Sequence, residues 1–158
     1  MKKFLSVFLV VITMALILTS CMSADPKDFT VDGMTVTLTT AFKETEMEGY
    51  TACYTSKDVL AVVLKEIGMD NLTLDDYAGL VRKANASKNP SEISKGDVYH
   101  SMEYDFLNQE ENQTYSYYCA MFKNGDEFWL VQFACRKEDY TSHKETFINW
   151  ANTVKFAN

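Results

Sequence analysis

Between residues 98 and 106 apolar and polar side chains alternate. Val98, His100, Met102, Tyr104 and Phe106 share one side; Tyr99, Ser101, Glu103 and Asp105 share the other. A period of two predicts a strand with one face turned to a core. The next two segments break that rule. Thr114–Phe122 and Glu127–Cys135 are apolar at most positions and flank Asn124-Gly125, a pair that favours a tight hairpin. Pairing Phe122 with Glu127 brings Ala120 opposite Trp129, Tyr118 opposite Val131 and Ser116 opposite Phe133. The other face then holds Met121 with Phe128 and Cys119 with Leu130. Both faces are apolar, so other layers must cover both. Cys119 and Cys135 fall on opposite faces in this register and do not bridge each other.

Upstream, Phe29–Val31 and Met34–Leu38 surround Asp32-Gly33 and predict another hairpin. Thr40–Gly49, with Glu44, Glu46 and Glu48, reads as a solvated loop. Tyr50–Thr55 and Val59–Lys65 predict a second strand pair, joined through Ser56-Lys57-Asp58. Thr73 is a helix N-cap, with Asp76 three residues later as its capping-box partner. Leu74, Tyr77, Val81 and Ala84 then form one apolar stripe, and the helix should end near Asn85. Ser87–Lys95, with Asn89-Pro90, reads as a loop, and Leu107–Asn112 as a polar turn. A final helix over Asp139–Thr153 puts Tyr140, Phe147, Ala151 and Val154 on one stripe. The predicted fold class is α+β: a central antiparallel sheet with helices covering both faces, an α/β/α sandwich.

The pattern changes at residue 21. Lys2 and Lys3 precede an almost unbroken apolar run, Phe4–Leu18, too short to span a bilayer comfortably but the right length for a secretory signal. Leu18-Thr19-Ser20-Cys21 resembles a bacterial lipobox. That resemblance implies cleavage between Ser20 and Cys21 and a diacylglyceryl group on the Cys21 thiol. No other cofactor is expected. Two acyl chains hold a protein on a membrane where one does not. The expected organisation is a signal peptide over 1–20, a lipid-anchored tether over 21–28 and one domain over 29–158, placed on the extracytoplasmic face of the cell membrane.

Removing Lys2 and Lys3 leaves 13 basic residues against 22 acidic, a net charge of −9. Such a surface is repelled by phosphates, so nucleic acid is not an expected partner. It is repelled by anionic lipid too, which leaves the lipid as the membrane attachment. Cys53, Cys119 and Cys135 remain in the domain. Three is odd, so at most one intramolecular disulfide can form; small buried hydrophobes is the reading their apolar surroundings favour. No Cys/His spacing suggests metal.

The order of elements, with "FTVDGMTVTLTTAFKE", "GDEFWLVQFAC" and "FINWANTVKF", is similar to the PsbP-like sandwich, the fold of the Mog family of Ran-binding import factors and of DcrB-type envelope proteins. More narrowly these stretches look like a group of small lipoproteins of clostridia and their relatives. The resemblance implies a fold and an address. It carries over no activity and no functional residue.

No catalytic residue is expected. His100 lies on the apolar side of its strand and His143 in the first turn of the last helix; neither has a partner at a catalytic spacing, and no GxSxG or Gly-rich phosphate loop occurs. The acidic clusters read as solvated surface. Among the crowded aromatics, Tyr115 and Tyr117 share a face with Gln132 and Ala134 near the strand ends and are the binding candidates. The reading favoured is a binding or accessory domain that holds a protein or envelope component near the membrane. The alternatives are a small-ligand binder with a pocket between sheet and helix, and an enzyme with an unrecognised site.

Overall fold

The structure, a computed structural model, describes residues 24–69 and 71–157. The signal segment, Ser20 and Cys21 lie outside the described residues. Strand β1 (Pro26–Val31) turns through Asp32 and Gly33, both at positive φ, into β2 (Met34–Thr39). This is the Asp-Gly turn that the spacing predicts. The strand begins three residues earlier than expected, so Pro26–Asp28 belong to the domain rather than to the tether. Proline opens the strand, where a missing N–H is tolerated, and the Thr37 hydroxyl donates to Asp28 Oδ1 at 2.6 Å.

Three more strands follow: β3 (Lys43–Thr45), β4 (Ala52–Thr55) and β5 (Leu60–Glu66). β3 lies inside the stretch expected to be loop; it pairs with β4 from Lys43 opposite Thr55 to Thr45 opposite Cys53. Helix α1 (Leu74–Ala84) starts on the complete capping box of Thr73 and Asp76. After a short edge strand β6 (Ser94–Lys95) come the three long strands β7 (His100–Asn108), β8 (Gln113–Asn124) and β9 (Glu127–Arg136). Val98 is not in β7. It stands 73% exposed in a turn closed by the Gly96 N–H on the Tyr99 carbonyl, where a Cβ on residue 96 would lie 2.7 Å from that oxygen. Helix α2 (Tyr140–Ala151) and β10 (Lys155–Phe156) close the chain.

The β8–β9 pairing is two residues away from the predicted register. Asn124 faces Glu127, Phe122 faces Trp129, Ala120 faces Val131 and Tyr118 faces Phe133. Gly125, at φ +59°, takes the first central position of a two-residue turn whose second residue, Asp126, keeps negative φ. That suits a type II′ turn centred one residue later than Asn124-Gly125. A slip of two preserves the faces, so the predicted two-sided burial is unaffected.

All ladders are antiparallel. The large sheet runs β3-β4-β5-β9-β8-β7-β6, and a second sheet runs β1-β2-β10. The small sheet and α2 together cover one face of the large sheet. Phe29, Met34, Val36 and Leu38 from the small sheet meet Tyr54, Phe122, Trp129 and Phe133 from the large one, and α2 adds Phe147 and Ala151. Phe133 and Phe147 stack at 5.6 Å between ring centroids. On the other face α1 places Tyr77, Ala78 and Val81 on Met102, Cys119, Met121 and Phe128. The fold is therefore the expected α+β arrangement with helices on both faces, and a small sheet shares one of the covering layers. Phe147→Ala should cost about 3–5 kcal/mol in urea unfolding, since it empties the middle of the larger core. Thr73→Ala should cost about 1 kcal/mol through the lost cap.

Candidate functional site

Helix α1 has 11 residues, a length of about 16 Å. Strand β8 has 12, about 40 Å. One helix cannot cover the face it lies on, and the far half of that face stays open. The ladders fix what floors it. Thr55 of β4, Leu60 of β5, Ala134 of β9, Tyr117 of β8 and Tyr104 of β7 lie side by side across five strands. One step farther out, Arg136, Tyr115 and Phe106 form the next row.

These residues floor an open cleft of about 820 Å³ whose lining includes Met47, Leu60, Phe106, Tyr115, Tyr117 and Arg136. The β4–β5 turn walls one side and the β7–β8 turn the other. Tyr115 and Tyr117, the sequence-based candidates, are half-buried here. Tyr117 stacks on Tyr104 at 4.8 Å with rings 12° apart. The Tyr115 hydroxyl donates to Glu111 Oε2 at 2.7 Å. Lys88 holds its ammonium 4.6 Å from the Tyr104 ring and 5.4 Å from the Phe106 ring, a cation–π placement that keeps both rings in line. Met47, Tyr50 and Phe106 are each 40% exposed.

Sequence reasoning assigned Tyr104 and Phe106 to a buried stripe with His100 and Met102. The stripe is real, but α1 covers only its first half. Leu60 and Met47 had no signal in the chain; the fold alone brings them to the cleft, and brings Lys88 over the Tyr104 and Phe106 rings. The usable clue was the mismatch in reach between an eleven-residue helix, rising about 1.5 Å per residue, and strands of twelve and ten residues, rising roughly twice as much.

The polar groups of the cleft are suited to recognition. Behind the cleft, Gln132, buried on the same face as Ala134, donates from Nε2 to the Tyr104 hydroxyl at 3.1 Å and to Cys119 Sγ at 3.2 Å. Burial raises the Tyr117 hydroxyl, with the neighbouring Tyr50 adding to it, so the phenol stays neutral and can donate or accept. The thiols are poor nucleophiles. Burial pushes Cys119 up to about 12 and Cys135 up to about 11, and raises Cys53. Cys53, Val62, Gln132 and Cys119 form one row over adjacent strands. Cys53 and Cys119 therefore stand three strand spacings apart, roughly 14 Å, well beyond disulfide reach. Cys135 belongs to the opposite core. All three are free and buried.

His100 lies at the far end of the same face, under the start of α1. Its Nε2 meets Asp75 Oδ1 at 2.5 Å, and Lys95 meets the other oxygen. The hydrogen bonds of Lys95 and then His100 hold the Asp75 carboxyl below its ordinary range. This cluster fastens the first turn of α1 to β6 and β7. His143 stacks on Phe147 at 5.7 Å on α2. Neither histidine reaches the cleft. No group of three His, Cys, Asp or Glu side chains suited to a metal converges among the described residues.

No family profile and no curated protein sequence matches this chain. Solved structures do. Cyanobacterial PsbP from Synechocystis is similar over 87% of this chain and 96% of its own, with TM-score 0.59 and 9% identity. The Ran-binding protein Mog1p of Saccharomyces cerevisiae is similar over 85% of this chain and 96% of its own, with TM-score 0.56 and 8% identity. A Bacteroides thetaiotaomicron protein matches over 87% of this chain, which spans 50% of that protein, with TM-score 0.59 and 13% identity. The fold is PsbP-like. At such identities the likeness is one of architecture, and among the described residues the strands and helices lie within 26–156.

In a Cys21→Ser chain, a thiol reagent at pH 8 should titrate the three core thiols only after denaturation. A fast-reacting thiol in the native protein would contradict the burial described. Asp75→Asn should be less stable than the parent at neutral pH. A depressed carboxyl stabilises the fold above its unfolded pKa and loses that effect as pH falls through the folded one. The gap should therefore close below about pH 4, read by melting at stepped pH.

Proposed function

We propose that this PsbP-like chain is a lipid-anchored binding module on the extracytoplasmic face of the cell membrane, and that the aromatic cleft is where it holds its partner. The observation that carries the reading is the half-open sheet face. Phe106, Tyr115 and Tyr117 line a cleft in which no other part of the described chain is seated. Large aromatic faces with a few fixed polar groups supply affinity at small entropic cost, the usual equipment of recognition surfaces. The cleft is open and long, which suits a protruding segment of a partner protein or envelope component better than a small enclosed ligand.

The address rests on Leu18-Thr19-Ser20-Cys21 and the apolar run before it. Four residues, Met22–Asp25, would separate the lipidated Cys21 from β1. Fully extended they reach about 14 Å, so the domain would work against the membrane surface. The domain's negative charge keeps nucleic acid an unsuitable partner. The yeast neighbour is named for binding Ran, and nothing in the cleft requires the same partner. A small-ligand reading draws support from the cleft volume, which lies within the range of ligand sites.

A photo-crosslinking residue placed at Phe106 in living cells should capture one dominant species. The same residue at Leu80, exposed on α1 away from the cleft, should not. Equal capture from both sites would remove the cleft from the account. Cys21→Ala should release the protein from the membrane fraction; an uncleaved chain still in that fraction would show that the apolar run itself is the anchor.

A further inference from the structure

The edge of β7 beside the cleft is unpaired where it leaves the protection of the chain before it. The ladder shows which backbone groups face outward. The Glu103 N–H donates to Ser91 Oγ at 3.0 Å, and its carbonyl accepts from the Ser91 N–H at 2.8 Å. Both groups thus point away from β8. Antiparallel pairing alternates, so every second residue does the same. Ser101, on one side of Glu103, lies opposite Ser94 of β6. Asp105 and Leu107, on the other side, have outward N–H and carbonyl groups with no hydrogen-bond partner among the described residues.

The reason is local. The segment that shields β7 ends at Ser91, because Pro90 has no N–H to offer and Asn89, at φ +49°, turns the chain away. The turn leaves a notch of about 460 Å³ between Lys88, Asn89 and Ser91 on one side and Tyr104 and Asp105 on the other. A neighbouring strand would lie in that space. The edge also lacks the usual guards. Phe106 is 40% exposed on the cleft side and Leu107 is 50% exposed on the other. The one charged residue in the uncovered stretch of β7, Asp105, is drawn off the edge by Lys137 and Ser116, each at 2.6 Å, and the nearby Lys88 is held over the Tyr104 and Phe106 rings. Natural edges usually carry free charge, a bulge or a cover at such a place.

We propose that β7 receives an extended segment of a partner protein as an added strand, hydrogen-bonded to Asp105 and Leu107. This deepens the cleft reading and rests on it for one face of the added strand. Alternate side chains of the segment would meet Tyr104 and Phe106 on the cleft side, and those between them Leu107. The partner chemistry is apolar at alternate positions. A basic residue suits the end that reaches the β7–β8 turn, where Glu110 and Glu111 stand beside the edge. Main-chain bonds give affinity in such additions, and the pockets for alternate side chains give selectivity.

The probe is a short capped peptide alternating valine with threonine between terminal lysines, titrated calorimetrically into the full chain in mild detergent. The comparison peptide has the same side chains but is N-methylated at alternate amides on the bonding edge. The first should bind, and methylation should weaken it by at least about tenfold, the effect of losing one or two backbone hydrogen bonds. Leu107→Pro removes an outward N–H without touching the β7–β8 ladder and should weaken binding to a similar extent. Leu107→Ala keeps the N–H and should stay within about threefold. Equal binding of the two peptides would overturn strand addition; so would no binding at all, or a self-associated chain that Leu107→Pro makes monomeric. If both peptides bind equally and Phe106→Ala abolishes both, the cleft stands and only the added strand falls.

Discussion

The structure depends on one mismatch of lengths. The β8–β9 hairpin is apolar on both faces along nearly its whole run, so both faces need cover. Cover comes in short pieces. On one face α2 and the three-stranded sheet share the cover and together bury Phe122, Trp129 and Phe133. On the other face α1, with loop side chains such as Met69, Leu72 and Ile93 beside it, is the covering element among the described residues. It is less than half as long as β8 beneath it, and its Tyr77 stacks on Phe128 near one end, 4.6 Å between centroids. Whatever the hairpin presents beyond α1 meets solvent or a partner.

That constraint explains the character of the cleft. An open apolar half-sheet would be a hazard, so its residues are amphipathic: the Tyr115 hydroxyl reaches Glu111 at the outer end, the Tyr104 hydroxyl meets Gln132 inside, Lys88 lies over the rings and Arg136 stands at the end. Tyrosine tolerates both a wet and a filled state better than phenylalanine or leucine. Fixing α1 at the other end matters for the same reason. The Asp75 cluster with His100 and Lys95 holds its first turn, and that position decides how much of the sheet is left uncovered.

Much of the fold was legible in the chain. The capping box of Thr73 and Asp76 and the Asp32-Gly33 turn are local signals that appear where the pattern puts them, and the β8–β9 hairpin keeps its expected two-sided burial in a register two residues away. The errors came where two local solutions differ little in energy. Asn124-Gly125 and Gly125-Asp126 can both turn a hairpin, and a slip of two leaves every side chain on its own face. β3 could not be read because its pairing partner, β4, supplies the whole reason for its being a strand; Lys43, Glu44 and Thr45 are all exposed. The cleft was half legible. Tyr115 and Tyr117 could be placed on one face from register alone, but their neighbours Leu60 and Met47 come from strands and loops more than fifty residues away. Whether that face was open turned on the reach of α1, a tertiary quantity.

The half-open face can be measured directly by hydroxyl-radical footprinting of the full chain, with oxidation read residue by residue. Tyr50, Phe106, Tyr115 and Tyr117, with Met47, should be modified. Tyr77 and Phe128, under α1 on the same face, and Tyr54 and Phe133, on the opposite face, should stay silent. Protection of the cleft residues to the level of Tyr77 in the isolated protein would contradict the account, for the sheet would then be covered on both sides along its full length.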